Sequence, residues 1–243
     1  MKYMGSKRRI AKDIIPIILK DRKEGQYFYD LFVGGGNILE KVNGNRVAND
    51  NNEYLIELFK YMQNENLDLP FVGEIEYKNI QNNKENYPKW LVGYVGFQLS
   101  FGAKFFGGYR RDKAGVRNYE NEAQQNLKAQ QKYIKDVDFV CGSYDKVKLE
   151  QNSIIYCDIP YKNSTKYNTS KNFDYDKFYD WCIEKHKEGH KIFISEYEMP
   201  EDMFESVWSK EISSSLTPEN NGKKGVEKLF VVKGDINVPK ISY

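Results

Sequence analysis

The run Tyr27-Phe28-Tyr29-Asp30-Leu31-Phe32-Val33-Gly34-Gly35-Gly36 decides how this chain is read. Aromatic and β-favouring residues lead straight into three glycines, the pattern of a strand that ends in a sharp turn and lets a ligand approach the backbone closely. The same pattern serves as a plain structural turn in many folds, so alone it leaves both readings open. Upstream, the spacing Ile10, Ile14, Ile15, Ile18 predicts an opening helix disturbed by Pro16. Downstream, a helix is expected to begin near Asn37, and a short strand over Arg46 to Asn49 to end in Asp50. Tyr54, Leu55, Leu58, Phe59 and Met62 then share one helical face.

The later part resumes this rhythm, with strands expected at Val137 to Cys141, Ser153 to Asp158, Lys191 to Ser195 and Leu229 to Val232. A helix fits Tyr175, Phe178, Tyr179, Cys182 and Ile183, with Asp174 as its N-cap. Alternating strands and helices imply an α/β fold with a doubly wound, mostly parallel sheet. Residues 63–136 break the pattern, carrying a basic, glycine-rich stretch and no comparable strand run. The expected organisation is therefore a catalytic domain of residues 1–62 and 137–243 interrupted by a mainly helical insertion at 63–136. Ser213 to Gly225 reads as a surface loop.

Composition bounds the possibilities. The 243 residues allow one substantial α/β domain with an insertion, with 40% hydrophobic and 30% charged residues and no apolar run long enough for a membrane span. The basic N-terminal stretch lacks the apolar region of a secretory signal, so a cytoplasmic location is expected. Cys141, Cys157 and Cys182 are too few and scattered for a disulfide framework or a zinc knuckle, and are read as reduced, buried thiols. The net charge of only +2 means that any nucleic-acid affinity must come from local clusters. One cluster is Lys7, Arg8 and Arg9; another comprises Lys104, Tyr109, Arg110, Arg111, Lys113 and Arg117. Either could be an ordinary solvated face.

Two acidic positions carry the chemistry. Asp50 lies fourteen positions after Gly36, where a carboxylate can accept hydrogen bonds from ribose hydroxyls; capping of the next helix by Asp50 or Asn51 is the structural alternative. Gly34 to Leu39 reads G-G-G-N-I-L, without the third glycine of a dinucleotide fingerprint, so adenosine without a diphosphate suits the loop better. Asp158-Ile159-Pro160-Tyr161 follows the apolar strand Ile154 to Cys157. Methylating an aromatic amine requires acceptors for both N–H groups, which the Asp158 carboxylate and the Ile159 carbonyl offer. Pro160 fixes the local backbone, and Tyr161 supplies a face on which a flipped base can stack. A simple strand-end turn remains the other reading of the tetrapeptide.

Taken together, the chain resembles the Dam-like, class D12 adenine-specific DNA methyltransferases of α-type motif order. The parts are Tyr3-Met4-Gly5-Ser6-Lys7, D-L-F-V-G-G-G at Asp30 to Gly36, Asp50, the insertion, C-G-S-Y at Cys141 to Tyr144, and D-I-P-Y at Asp158 to Tyr161. The resemblance implies that Tyr3 and Lys7 enclose S-adenosyl-L-methionine, and that the loop from Phe32 to Gly36, with Asp30, Gly34 and Gly36, holds its methionine part. It implies further that Asp50 binds the ribose, that Ser143 and Tyr144 lie near the adenine ring, and that Asp158 meets both cofactor and target amine. It makes the insertion the region that reads duplex DNA, through Lys104, Tyr109, Arg110 and Arg111, with Arg8 of the N-terminal stretch as a further DNA contact. The commoner family tetrapeptide is D-P-P-Y; Ile159 keeps the needed carbonyl and, preceding a proline, stays biased to extended geometry.

The expected activity is transfer of a methyl group from S-adenosyl-L-methionine to adenine N6 in duplex DNA, with the base flipped out. No Pro-Cys dipeptide is present for attack on a ring carbon. His186 and His190 stand at the spacing of a zinc pair, but H-K-E-G-H misplaces the glutamate of H-E-x-x-H, and no metal is expected. N4-cytosine or RNA adenine methylation uses almost the same amino chemistry and remains an alternative, as does an inactive DNA-binding module on the same fold. No obligatory protein partner is evident.

Overall fold

The computed structural model describes residues 1–112, 115–162, 173–213 and 224–234. Among the described residues there are seven strands: β1 Phe28–Asp30, β2 Arg46–Asp50, β3 Val137–Cys141, β4 Ile154–Asp158, β5 Lys191–Glu196, β6 Phe204–Ser213 and β7 Lys224–Val232. Their hydrogen-bonded order is β3-β2-β1-β4-β5-β7-β6, and the α/β, mostly parallel sheet expected from the sequence is present. The helices are α1 Ala11–Ile18, α2 Glu53–Met62, α3 Glu74–Asn82, α4 Lys89–Gly93, α5 Tyr119–Gln131 and α6 Tyr175–Lys187. No helix among the described residues is long and apolar enough to cross a membrane.

Contacts divide the chain into two compact units, one of residues 1–11 and 33–147, the other of residues 12–32 and 148–243. In the first, β2 pairs in parallel with β3, Arg46 opposite Val137 and Asp50 opposite Cys141. Leu55, Ile56, Leu58, Phe59 and Met62 of α2 are buried, and the Phe59 ring stacks on Phe139 at 4.8 Å and 9°. Asn52 caps α2, its side chain accepting from the Leu55 amide at 3.1 Å, so neither Asp50 nor Asn51 supplies the cap. Residues 63–136 carry α3, α4 and α5 and packed aromatic rings: Trp90 stacks on Tyr61 of α2 at 3.7 Å, and Phe105 lies 4.8 Å from both Phe97 and Phe106. Gly93 is required where α4 crosses α2, because a Cβ there would fall 2.1 Å from the Tyr54 carbonyl oxygen.

The second unit carries β1, β4 and β5 in parallel, then β7 and β6 antiparallel. The strand interiors Phe28–Asp30, Ile154–Cys157 and Ile192–Glu196 are buried on every residue, which explains the apolar runs Ile154–Cys157 and Ile192–Ile194. Asp174 caps α6 as expected, accepting from the Lys177 amide at 3.0 Å. The face of α1 turned to the core uses Ile14, Ile17 and Ile18, with Ile15 only half-buried and Pro16 exposed.

Several local expectations are corrected. β1 is shorter than Tyr27 to Val33, although Leu31 still donates to the Tyr156 carbonyl at 3.0 Å and Val33 to that of Asn49 at 2.9 Å. After the glycines there is only a 3-10 turn, Leu39–Lys41, because Val42 is already extended and so few residues cannot nucleate an α-helix. β6 was not expected. A bulge between Ser206 and Trp208 breaks its alternation, leaving Val207 and Trp208 both buried and hiding the period of two. The expected loop from Ser213 to Gly225 has its ends in β6 and β7, and its residues 214–223 lie outside the described residues, as does Lys113. Cys157 and Cys182 are buried free thiols, whereas Cys141 is exposed at the end of β3.

Candidate active site

In the first unit the glycine loop, the end of β2 and the segment after β3 are tied together. Asp50 accepts the Gly34 amide on one carboxylate oxygen at 3.2 Å and the Asn52 amide on the other at 2.9 Å. Burial pushes its carboxyl above the ordinary range, against the backbone donors of Asn52, Gly34 and Asn51. The neighbouring Gly142 donates its amide to the Asp50 carbonyl at 3.1 Å, and its carbonyl accepts from Asn49 Nδ2 at 3.0 Å. These bonds bring Gly34, Asp50 and the Gly142-Ser143-Tyr144 segment to one place. Tyr144 is buried, and Ser143 Oγ pairs with Asp145.

Gly34 has φ +46° and Gly36 φ +67°, the left-handed region that favours glycine. A Cβ on Gly34 would fall 2.9 Å from Tyr3 Cε1, so Tyr3 lies directly against the loop. Lys7, in the 3-10 turn Lys7–Arg9, is buried, while Arg8 is exposed. The carboxylate and the tight backbone fit an adenosine ligand: an acceptor for ribose hydroxyls beside a glycine turn that packs directly on Tyr3. A separate cavity of about 560 Å³ lies beside Arg8, Asn37, Glu40 and Gln130, and none of the residues expected to hold the cofactor lines it.

In the second unit Asp158 ends β4 opposite Ser195 of β5. The Ile159 side chain is buried, so the departure from D-P-P-Y is absorbed as a core residue. The Pro160 carbonyl accepts from the Tyr175 hydroxyl at 2.7 Å. Tyr161 donates its hydroxyl to Glu227 Oε2 at 2.6 Å and packs edge-on against Tyr197 at 4.5 Å and 80°. Burial, the Asp158 charge and the Glu227 charge push this phenol well above its ordinary value, so it stays protonated. Glu196, buried at the end of β5, accepts the amides of Lys162 at 3.2 Å and Tyr197 at 2.7 Å. Asp30 is buried, and Phe32 packs edge-on against Phe173 and Phe178 at 5.9 and 6.0 Å.

Sequence reasoning missed Tyr175, Glu196, Tyr197 and Glu227, which brace the tetrapeptide. The available signals were an acidic residue closing the apolar run Ile192 to Ser195 and another inside the apolar strand Val226 to Val232.

Two of the basic residues expected to meet DNA are already engaged. Arg110 pairs with Glu122 at 3.4 Å and lies 3.8 Å over the Tyr119 ring, whereas Arg111 pairs with Glu74 and is 62% exposed. Tyr109 is edge-on to Tyr77 at 5.4 Å, and Lys104 is exposed. His186 and His190 do not share a helix: α6 ends at Lys187, and His190 Nδ1 instead accepts the Ser153 amide at 3.2 Å.

The model of the D12 class N6 adenine-specific DNA methyltransferases matches residues 3–90 and 76–220. The chain belongs to this family. It is 26% identical over 207 residues to Type II methyltransferase M.FokI of Planomicrobium okeanokoites, an alignment covering 74% of this chain and 31% of the relative. This chain thus spans under a third of that protein. It is 28% identical over 216 residues to Type II methyltransferase M.MjaIII of Methanocaldococcus jannaschii, covering 73% of each. Among solved structures, SMU.472 complexed with SAH matches 93% of this chain and 52% of its own, at 13% identity and a TM-score of 0.38.

Proposed function

We propose that this protein methylates the N6 amino group of adenine in duplex DNA, using S-adenosyl-L-methionine. The observation that carries the reading is the tetrapeptide at the end of β4, with Asp158 at its head and its following residues pinned by Tyr175 and Glu227. When bound, the cofactor supplies an electrophilic methyl group, and no covalent enzyme intermediate is required. Gly34, Gly36, Tyr3, Lys7 and Asp50 would hold it, with Ser143 and Tyr144 near its adenine ring.

The residues of the tetrapeptide supply position and electrostatics. An aromatic amine is a poor nucleophile because its lone pair is shared with the ring. Acceptance of its two N–H groups by the Asp158 carboxylate and the Ile159 carbonyl favours the pyramidal nitrogen that attacks. Fixed acceptors need no reorganisation during the reaction, so the bracing bonds contribute to rate. Tyr161, kept protonated and anchored through its hydroxyl, offers its ring to a flipped base. The insertion of residues 63–136 is the target-recognition region in this reading, with Arg8, Lys104, Tyr109, Arg110 and Arg111 as DNA contacts. The names of the two relatives favour a modification role of the type II kind.

Nucleoside mass spectrometry after incubation with duplex DNA and S-adenosyl-L-methionine tests the proposal. N6-methyladenine is expected. N4-methylcytosine would overturn the base, methylation of RNA alone would overturn the substrate, and no methylated base despite binding of cofactor and DNA would favour an inactive module.

A further inference from the structure

The segment Lys2-Tyr3 lies between the base of the basic loop and the glycine loop, and the inserted helices hold it at several points. Gln98 is buried and makes two bonds to one residue: its Nε2 donates to the Lys2 carbonyl at 3.0 Å, and its Oε1 accepts the Lys2 amide at 3.2 Å. It closes the π-helical turn Tyr94–Gln98, a local distortion that recurs at functional sites. The basic loop begins immediately afterwards. The Leu99 carbonyl accepts the Arg110 amide at 2.9 Å, and the Phe101 amide donates to the Gly108 carbonyl at 2.8 Å.

Glu122 of α5 links the same two places through side chains. Its Oε1 pairs with Lys2 Nζ, and its Oε2 lies 3.4 Å from Arg110 Nη2. Tyr3 carries the connection onward: its ring packs on Phe97 at 5.4 Å, and a Cβ on Gly35 would fall 2.7 Å from Tyr3 Cβ. Gln130, also on α5, donates to the Gly35 carbonyl at 2.9 Å.

We propose that Gln98 and Glu122 are positioning residues that couple DNA engagement by the basic loop to cofactor affinity at the glycine loop. This rests on the functional reading above. Glu122 is shared between two cations. When a phosphate or base draws Arg110 away, the carboxylate turns wholly to Lys2, and Tyr3 is held more firmly on Gly34 and Gly35. Cofactor binding then strengthens, and by linkage bound cofactor strengthens DNA binding equally.

The test is calorimetric titration of the full chain with S-adenosylhomocysteine, with and without saturating mixed-sequence duplex DNA. DNA is expected to tighten binding by about fivefold or more. Glu122→Gln, a conservative change at a half-buried site, should bring that ratio below about twofold while the affinity without DNA stays within about threefold of the parent. Glu122→Asp should retain part of the ratio, which loss of a merely structural contact would not discriminate. Gln98→Glu, which keeps one of the two bonds to Lys2, should also lower it. A wild-type ratio near one, or a ratio unchanged in both Glu122→Gln and Gln98→Glu, overturns the coupling. Absence of any S-adenosylhomocysteine binding overturns the functional reading as well, so the two failures are distinct.

Discussion

The Tyr161 hydroxyl donates to Glu227 across 2.6 Å, tying the last residue of the D-I-P-Y tetrapeptide to a strand 66 positions further along the chain. A hydrogen bond to a charged acceptor contributes about 1.5 to 3 kcal/mol, more than a neutral pair. Glu227→Ala is therefore expected to lower kcat by about ten- to a hundredfold while leaving cofactor affinity close to that of the parent. Tyr161→Phe should show a similar loss, and the double variant little more than either alone, because both remove one bond. Steady-state kinetics on duplex DNA with the three variants checks this; additive losses would show that the pair does not act as a unit.

Asp158 stands on the frame that these bonds hold. Asp158→Ala is expected to reduce methyl transfer by about two to three orders of magnitude while the thermal melt and most DNA affinity persist, since its acceptor acts chiefly in the transition state. Radiolabelled methyl transfer alongside circular dichroism measures both. A loss of less than about tenfold would remove Asp158 from the reacting centre.

Asp50 accepts the Gly34 and Asn52 amides, and in the proposed function its carboxylate also meets the cofactor ribose. Asp50→Ala is expected to weaken cofactor binding by about 1 to 3 kcal/mol. Burial raises its carboxyl pKa, so protonation begins at a higher pH than for an exposed aspartate. The ionised form is the acceptor that binding uses; cofactor affinity should therefore fall on acidification before the ordinary pKa of 3.8 is reached. Titrations across mildly acidic pH, compared with Asp50→Asn, separate this effect: the variant should bind more weakly and with a flatter profile.

His190 predicts a pH dependence of stability. Burial lowers its imidazole below the ordinary 6.5, with Glu188 opposing and Lys185 assisting. Its Nδ1 accepts the Ser153 amide, so the native state requires that nitrogen unprotonated. A depressed folded pKa gives a contribution that is complete above the unfolded value of 6.5 and is lost as pH falls through the folded one. Thermal melts should begin to drop as pH falls below 6.5, and His190→Asn, which keeps an acceptor, should flatten the drop.

Arg110 and Arg111 predict separable effects on DNA. Arg111 is largely exposed and its pair with Glu74 contributes little to stability, so Arg111→Ala should leave the melt unchanged. The double variant with Arg110→Ala should weaken duplex binding and make its salt slope shallower by about one to two units if both meet phosphates. Binding measured over a salt series distinguishes this from two ordinary surface charges, which would leave the slope unaltered.

The sequence by itself determined what local chemistry can specify. Aromatic and branched residues running into Gly34-Gly35-Gly36 demanded a strand and a tight loop, Asp174 marked the start of α6, and the apolar run Ile154 to Cys157 delivered Asp158 to a strand end. The ordered motifs carried the family because each sits at a fixed place relative to an element boundary. Tertiary structure decided the rest. Residues separated by 66 to 96 positions meet in the Tyr161–Glu227, Gly35–Gln130 and Lys2–Gln98 bonds, and no periodicity records such partnerships. Asn52 took the cap expected of Asp50 or Asn51, since both oxygens of Asp50 were drawn to backbone amides on either side of β2's end. β6 escaped notice because its bulge breaks the alternation that identifies a strand. Patterns of period two or three to four residues report which face a side chain takes; they carry no information on which distant polar group it meets when buried, and there the need to satisfy hydrogen bonds makes the choice.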